Sequence, residues 1–230
     1  MQEVHPQNGF ILFNTAQECQ RGAFKSMREG QIDLVGPCPF LSTPAGGHAT
    51  TVASVALKQP YLPNHNSTSN SSMSMVSTLC LSPDDQVKEL AADSLSIQWA
   101  GALLQDVYDF IAEYHRSHAG VTCPVTIPQF RFVTSGLAMT NIPGTPPKQK
   151  EVFLVEELIQ QSDGPWRKYI NNCSSKPCHF SDQDNFRRSQ FLAFCQHVQY
   201  WRTSRLVFTS DFQGEYHPNL LIVCLTDSVA

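Results

Sequence analysis

Ser82-Pro83-Asp84-Asp85-Gln86-Val87-Lys88-Glu89-Leu90 opens the longest regular element of the chain. Ser82 has the short hydroxyl of a helix cap. Pro83 suits the first helical position, where an N–H would lack a partner anyway, and Asp84 and Asp85 place negative charge against the positive end of the helix dipole. From there Val87, Leu90, Ala91, Ala100, Leu103, Leu104, Val107, Phe110, Ile111 and Tyr114 recur at steps of three and four until Gly120. The spacing predicts one long helix with a broad apolar face and a bend near Ser94–Ser96. Such a face needs a surface to cover, and the flanking sequence offers strands.

Upstream, Phe10-Ile11-Leu12-Phe13 and Gly22-Ala23-Phe24-Lys25-Ser26-Met27 read as short strands, with a turn expected at Arg28-Glu29-Gly30. Thr50 to Lys58 alternates small polar and β-branched residues and stops at Pro60, as a strand does. Residues 61–78 are dominated by Ser, Asn, Pro and Thr with no period, which predicts a mobile surface insertion. Downstream, Phe130-Arg131-Phe132-Val133 and Val152-Phe153-Leu154-Val155 are strand-like, joined by a Pro- and Gly-rich loop over 140–147. Ser181-Asp182-Gln183-Asp184 has the form of a capping box ahead of a second helix running to about Tyr200. Leu206-Val207-Phe208-Thr209 then reads as a strand with Asp211 just past its end, and Leu220-Leu221-Ile222-Val223-Cys224 is either a strand or an aberrant end. Sheet plus one helix, then a second α and β portion, makes the fold class α+β.

Composition narrows the function. The 230 residues are 41% hydrophobic and 16% charged, which excludes wholesale disorder. The net charge of -4 provides no positive field for a polyanion, so nucleic acid is not an expected partner. No run reaches the length of a membrane helix, and Met1-Gln2-Glu3-Val4-His5-Pro6 lacks the basic and apolar regions of a signal peptide. A cytoplasmic protein follows, and in a reducing compartment its eight cysteines are read as free thiols. There is no Walker A pattern, no G-x-G-x-x-G and no H-R-D loop, so ordinary NTPases and ordinary protein kinases are excluded.

Taken singly, the polar candidates are ambiguous. Lys58 at a strand end is a phosphate ligand or a solvated edge lysine. Glu156-Glu157 is a binding pair or a polar strand exit, and Asp211 is a reacting carboxylate or a turn residue. His197 is a ligand or a satisfied helix histidine.

Read in order, Gly22-Ala23-Phe24-Lys25, Val55-Ala56-Leu57-Lys58, Phe153-Leu154-Val155-Glu156-Glu157, Trp166-Arg167-Lys168-Tyr169-Ile170-Asn171-Asn172 and Asp211-Phe212-Gln213-Gly214 resemble the alpha-type, or atypical, protein kinases. The expanded set in fungi looks most similar. The resemblance is most specific over 152–214. It implies a two-lobed α+β fold, with an N-lobe of antiparallel sheet and long helix over 1–155 and a hinge and incomplete C-lobe over 156–230. It also implies transfer of the γ-phosphoryl of ATP to Ser or Thr of a protein substrate.

By that resemblance Lys58 and Lys25 would grip the phosphates, and Glu156 would accept from the adenine amino group, with the backbone near Leu158 completing the edge. Asp211 would face the substrate hydroxyl, and Gln213 and Asp227 would hold magnesium. His197 would be the first ligand of a structural zinc. The His-x-Cys-x-x-x-Cys segment carrying the other three is not in the chain, so a truncated member without its zinc set is expected. The alternative is an inactive nucleotide-binding or interaction module derived from such a kinase. A metal-binding protein using the loop from Cys173 to His179 ranks below both, because its spacing matches no common finger.

Overall fold

The computed structural model describes residues 7–14, 20–21, 25–36, 38–40, 52–61, 81–141, 150–159, 166–171, 174, 176–217 and 220–225. The fold is α+β, with every strand pair antiparallel. The chain divides into two compact units, 1–94 with 134–158 and 95–133 with 159–230. Residues 95–133 group with the C-terminal segment instead of with the first sheet.

In the first unit, β1 (Gly9–Phe13), β3 (Lys25–Leu34), β4 (Val52–Pro60), β6 (Lys150–Glu157) and β5 (Ser135–Asn141) lie in the order β1-β3-β4-β6-β5, with β2 (Gln20–Arg21) also paired to β3. Opposed residues on antiparallel strands share a face, so the register sorts the side chains. One face carries Ile11, Phe13, Ile32, Ala53, Val55, Leu57, Phe153 and Val155, which pack into one apolar cluster. The other carries Val152 and Leu154, which pack against Leu90 of α1 (Pro83–Ser117), and the polar residues considered below. Helix α1 is capped as read: the Asp85 amide donates to the Ser82 hydroxyl at 3.2 Å, and the helix is unbroken through Ser94–Ser96.

Three sequence expectations are corrected. The turn expected at Arg28–Gly30 is continuous strand, because Glu29 and Gly30 are in register with Ala56 and Val55. Glycine is there for closeness: a Cβ on Gly30 would lie 2.6 Å from Leu57 Cδ1 and 3.1 Å from the Leu12 carbonyl oxygen. Gly30→Val is therefore expected to cost on the order of 2 kcal/mol by overpacking, read as a lower urea midpoint with unchanged slope.

Phe130–Val133 is irregular chain, and the strand lies later, at Ser135–Asn141. Phe130, Phe132 and Val133 are all buried, which an alternating strand with one wet face cannot do. The Phe130 amide is taken by the Tyr108 hydroxyl at 2.7 Å, and that hydroxyl donates to the Pro128 carbonyl at 2.9 Å. Leu206–Thr209 is likewise no strand. Ser204 and Arg205 follow α2 (Gln183–Arg202) with φ of 56° and 69°, and the Val207 amide donates to Thr203 Oγ1 at 3.1 Å.

The second unit contains α2, the rest of α1 from Leu95, and a sheet ordered β7 (Arg167–Lys168), β8 (Phe212–His217), β9 (Leu220–Leu225). The run from Leu220 is thus a paired strand. Asp182, not Ser181, caps α2: its carboxylate accepts from the Asn185 amide at 2.8 Å, which holds its pKa below the ordinary carboxylate value. The core is built on Ala100, Leu104, Val107, Tyr169, Ile170, Leu192, Cys195 and Phe212. The insertion expected at 61–78 and the loop over 140–147 lie outside the described residues except for Tyr61, Thr140 and Asn141, the last two of which belong to β5. Among the described residues no helix is long and apolar enough to cross a membrane.

Cys38, Cys123, Cys178 and Cys195 carry free thiols. Burial pushes the Cys195 thiol up from near 9 to about 12. In this range the unfolded chain loses a proton that the folded chain keeps, so stability falls as pH rises from about 9 toward 12. A urea midpoint that drops between pH 8 and pH 10.5, and drops less in Cys195→Val, is the expected result. Native Cys195 should also resist alkylation until the chain unfolds.

Candidate functional site

Lys58 stands on β4 opposite Met27 of β3 and Leu154 of β6, and Glu156 stands opposite Ala56. Those registers put Lys58 and Glu156 on one face, a pair of residues apart on neighbouring strands. Lys58 Nζ lies 2.9 Å and 2.7 Å from the two Glu156 carboxylate oxygens, with the two side chains 14% and 3% exposed. A carboxylate this buried fixes the ammonium in place, since either charge alone would be costly. Any adenine amino group approaching Glu156 would share it with Lys58.

Lys25, opposite Pro60, falls on the same face and diagonal to Lys58, a relation that puts Cβ atoms roughly 7–8 Å apart. Its ammonium is 2.8 Å from Asp93 Oδ2 of α1. Two lysines on adjacent strands are thus each held by a carboxylate within the first unit, within reach of one polyanion. Asp93 carries no signal in the sequence, because at its position in the helix it reads as an ordinary solvated acid.

Further along the same face the described residues form a hollow. Leu12, Glu29, Gln31, Ser54 and Leu158 line a concavity of about 510 Å³. The Leu158 amide, expected to meet a base edge, donates to the Ser54 carbonyl at 3.4 Å.

In the second unit Asp211 immediately precedes β8 instead of ending a strand. It is 7% exposed and has φ of 58°, in the left-handed region that Asp and Asn tolerate better than most residues. The chain is held on both sides of it. Gln196 Nε2 donates to the Thr209 carbonyl and the Thr209 amide donates to Gln199 Oε1, both at 2.8 Å. On the other side the buried Phe212 offers its carbonyl to the amides of Tyr169 at 2.8 Å and Ile170 at 3.2 Å. Lys168 Nζ lies 2.6 Å from Asp211 Oδ1, and Lys168 is the register partner of Gln213. Lys168, Asp211 and Gln213 are therefore neighbours at the start of one short ladder. Lys168 belongs to the Trp166–Asn172 motif, but the sequence gives no sign of its partner. The signal for Gln196 and Gln199 was present: two amides at i and i+3 among the apolar residues of a buried helix face.

Asp211 and Gln213 present hard oxygen donors suited to magnesium, which is ordinarily bound by one or two protein groups plus substrate phosphates. Asp227 lies outside the described residues. His197 is exposed on α2, and among the described residues no group of three His, Cys, Asp or Glu side chains could hold a metal. Cys173 of the loop to His179 is also outside the described residues, while Cys178 accepts from Asn171 Nδ2 at 3.7 Å.

No family model matches the chain, and no curated protein sequence matches it. Among solved structures, the alpha-kinase domain of myosin heavy chain kinase A in complex with AMPPCP is similar at a TM-score of 0.42 and 13% identity. The match spans 94% of this chain and 73% of that one. A likeness at that score does not establish a family.

Proposed function

We propose that the chain is a protein kinase of the alpha type, binding ATP and transferring its γ-phosphoryl to a Ser or Thr hydroxyl of a protein. The observation that carries the reading is the pair of lysines on one sheet face, Lys58 fixed by buried Glu156 and Lys25 fixed by Asp93. Phosphoryl transfer asks little covalent work of a protein and much placed positive charge, because charge spreads over the transferred group. Ammonium groups already held in position lose little freedom when phosphates arrive. The ordered motifs from Val152 to Gly214 support the same reading.

In this proposal Lys25 and Lys58 hold the phosphates, and Glu156 positions Lys58. Asp211, kept beside Lys168, orients the acceptor hydroxyl and takes its proton late. Gln213 would be a ligand of magnesium, which when bound neutralises charge on the phosphate oxygens.

The test is calorimetric titration of the full chain with ATP and magnesium, together with phosphoryl transfer to a Ser/Thr-rich acceptor protein. Saturable binding with transfer is expected. Absence of binding would overturn the reading, and binding without transfer would turn it to the inactive nucleotide-binding module.

A further inference from the structure

The two lysines account for one end of the polar sheet face, and the concavity at the other end has no role in that account. Its place on the register is informative. Along β4 the face presents Lys58, then Ala56, then Ser54, and along β3 it presents Lys25, Met27, Glu29 and Gln31. From Lys58 to Ser54 is four residues, about 13–14 Å of strand. That is comparable to the span from the outer phosphate to the base of an extended nucleoside triphosphate. Between the two ends the floor is Ala56, small and buried, with Glu29 opposite it.

Glu29 is exposed, and among the described residues its carboxylate has no ion-pair partner. On charge alone it is a poor neighbour for a polyanion. A carboxylate at this point helps a nucleotide only by accepting hydrogen bonds from donors that the phosphate tail lacks.

Resting on the nucleotide reading, we infer that the concavity lined by Leu12, Glu29, Gln31, Ser54 and Leu158 takes the nucleoside end of the ligand, and that Glu29 is its specificity residue, accepting from the ribose 2′-hydroxyl or from the exocyclic amine of the base. Hydrogen bonds to a charged acceptor are the stronger kind. Leu12 and Leu158 supply the apolar wall for the ring.

Charge makes the test one-sided. Removing Glu29 should slightly tighten any ligand that is only a polyanion, so a loss confined to the nucleotide cannot come from electrostatics. The experiment titrates the full chain, as wild type, Glu29→Ala and Glu29→Gln, with ATP, 2′-deoxy-ATP, ITP and inorganic tripolyphosphate. Expected are an approximately tenfold loss of ATP affinity in Glu29→Ala, a smaller loss in Glu29→Gln, which keeps one acceptor oxygen, and tripolyphosphate binding unchanged or tighter. With the wild-type chain, 2′-deoxy-ATP should fall to the same level if the ribose is the donor, and ITP if the amine is.

Wild-type protein that holds both analogues as tightly as ATP overturns the inference. So does a Glu29→Ala chain that keeps ATP, or loses ATP and tripolyphosphate alike, while the nucleotide reading stands. A wild-type chain that binds neither ATP nor tripolyphosphate overturns both.

Discussion

Lys58→Met is expected to abolish the proposed ATP binding and to lower the unfolding free energy by about 3 kcal/mol, the lower part of the range for removing one partner of a buried ion pair. The cost arises at Glu156, whose side chain is 3% exposed and loses the ammonium bound to it. The position of Lys58 at 14% exposure admits some water and places the loss at the low end. A second variant separates stability from function. In Lys58→Met/Glu156→Leu both charges of the pair are removed together, so most of the stability is expected to return, while the proposed ATP binding is expected to stay lost. Urea unfolding and calorimetric titration on the same preparations give both readings. Wild-type ATP affinity in either variant would remove Lys58 from the site, whatever the stabilities.

How far this pair was legible in the sequence follows from the kind of information each part carries. Lys58 and Glu156 are 98 residues apart, and each looked like a plausible surface residue by itself. Only the ordered motifs drew attention to them, and nothing in spacing said that one would hold the other. Helix α1 was readable almost to its ends, because a 35-residue element with a Ser cap and apolar residues at steps of three and four repeats its own signal many times. Short strands carry little such redundancy. At Phe130–Val133 the aromatic and β-branched residues were right for a strand, but they serve the core beside Phe191, whose ring stacks on Phe130 at 5.9 Å. The true strand, Ser135-Gly136-Leu137-Ala138-Met139-Thr140-Asn141, has weaker local propensity and is made by pairing with β6. The geometry of Asp211 was hidden for the same reason. Its backbone is set by glutamines on α2 and by the ladder to β7, contacts that its neighbours in sequence do not announce.

Those contacts define the second large effect. Asp211→Asn is expected to reduce the proposed phosphoryl transfer by a factor of about 10²–10⁴, the usual contribution of a placed acid–base group, and to leave the fold nearly as stable as before. Asparagine matches the shape of aspartate and accepts the left-handed backbone at φ of 58°. What it gives up is an ion pair with Lys168, which is 38% exposed, so the loss is under about 1 kcal/mol after solvent screening. Asp211→Ala loses transfer to the same degree but adds a backbone penalty of about 1–2 kcal/mol, because alanine has neither the freedom of glycine nor the local hydrogen bonding of asparagine in that region.

The comparison separates two explanations that a single inactive variant would leave mixed. If Asp211 acts on the acceptor hydroxyl, the two variants are equally slow and unequally stable, and both retain ATP binding in the first unit's lysines. If Asp211 served only to hold the Thr209–Phe212 segment in place, activity would follow stability, and the asparagine variant would transfer at close to the wild-type rate. Turnover with magnesium and ATP, measured beside urea midpoints for the three proteins, decides between them.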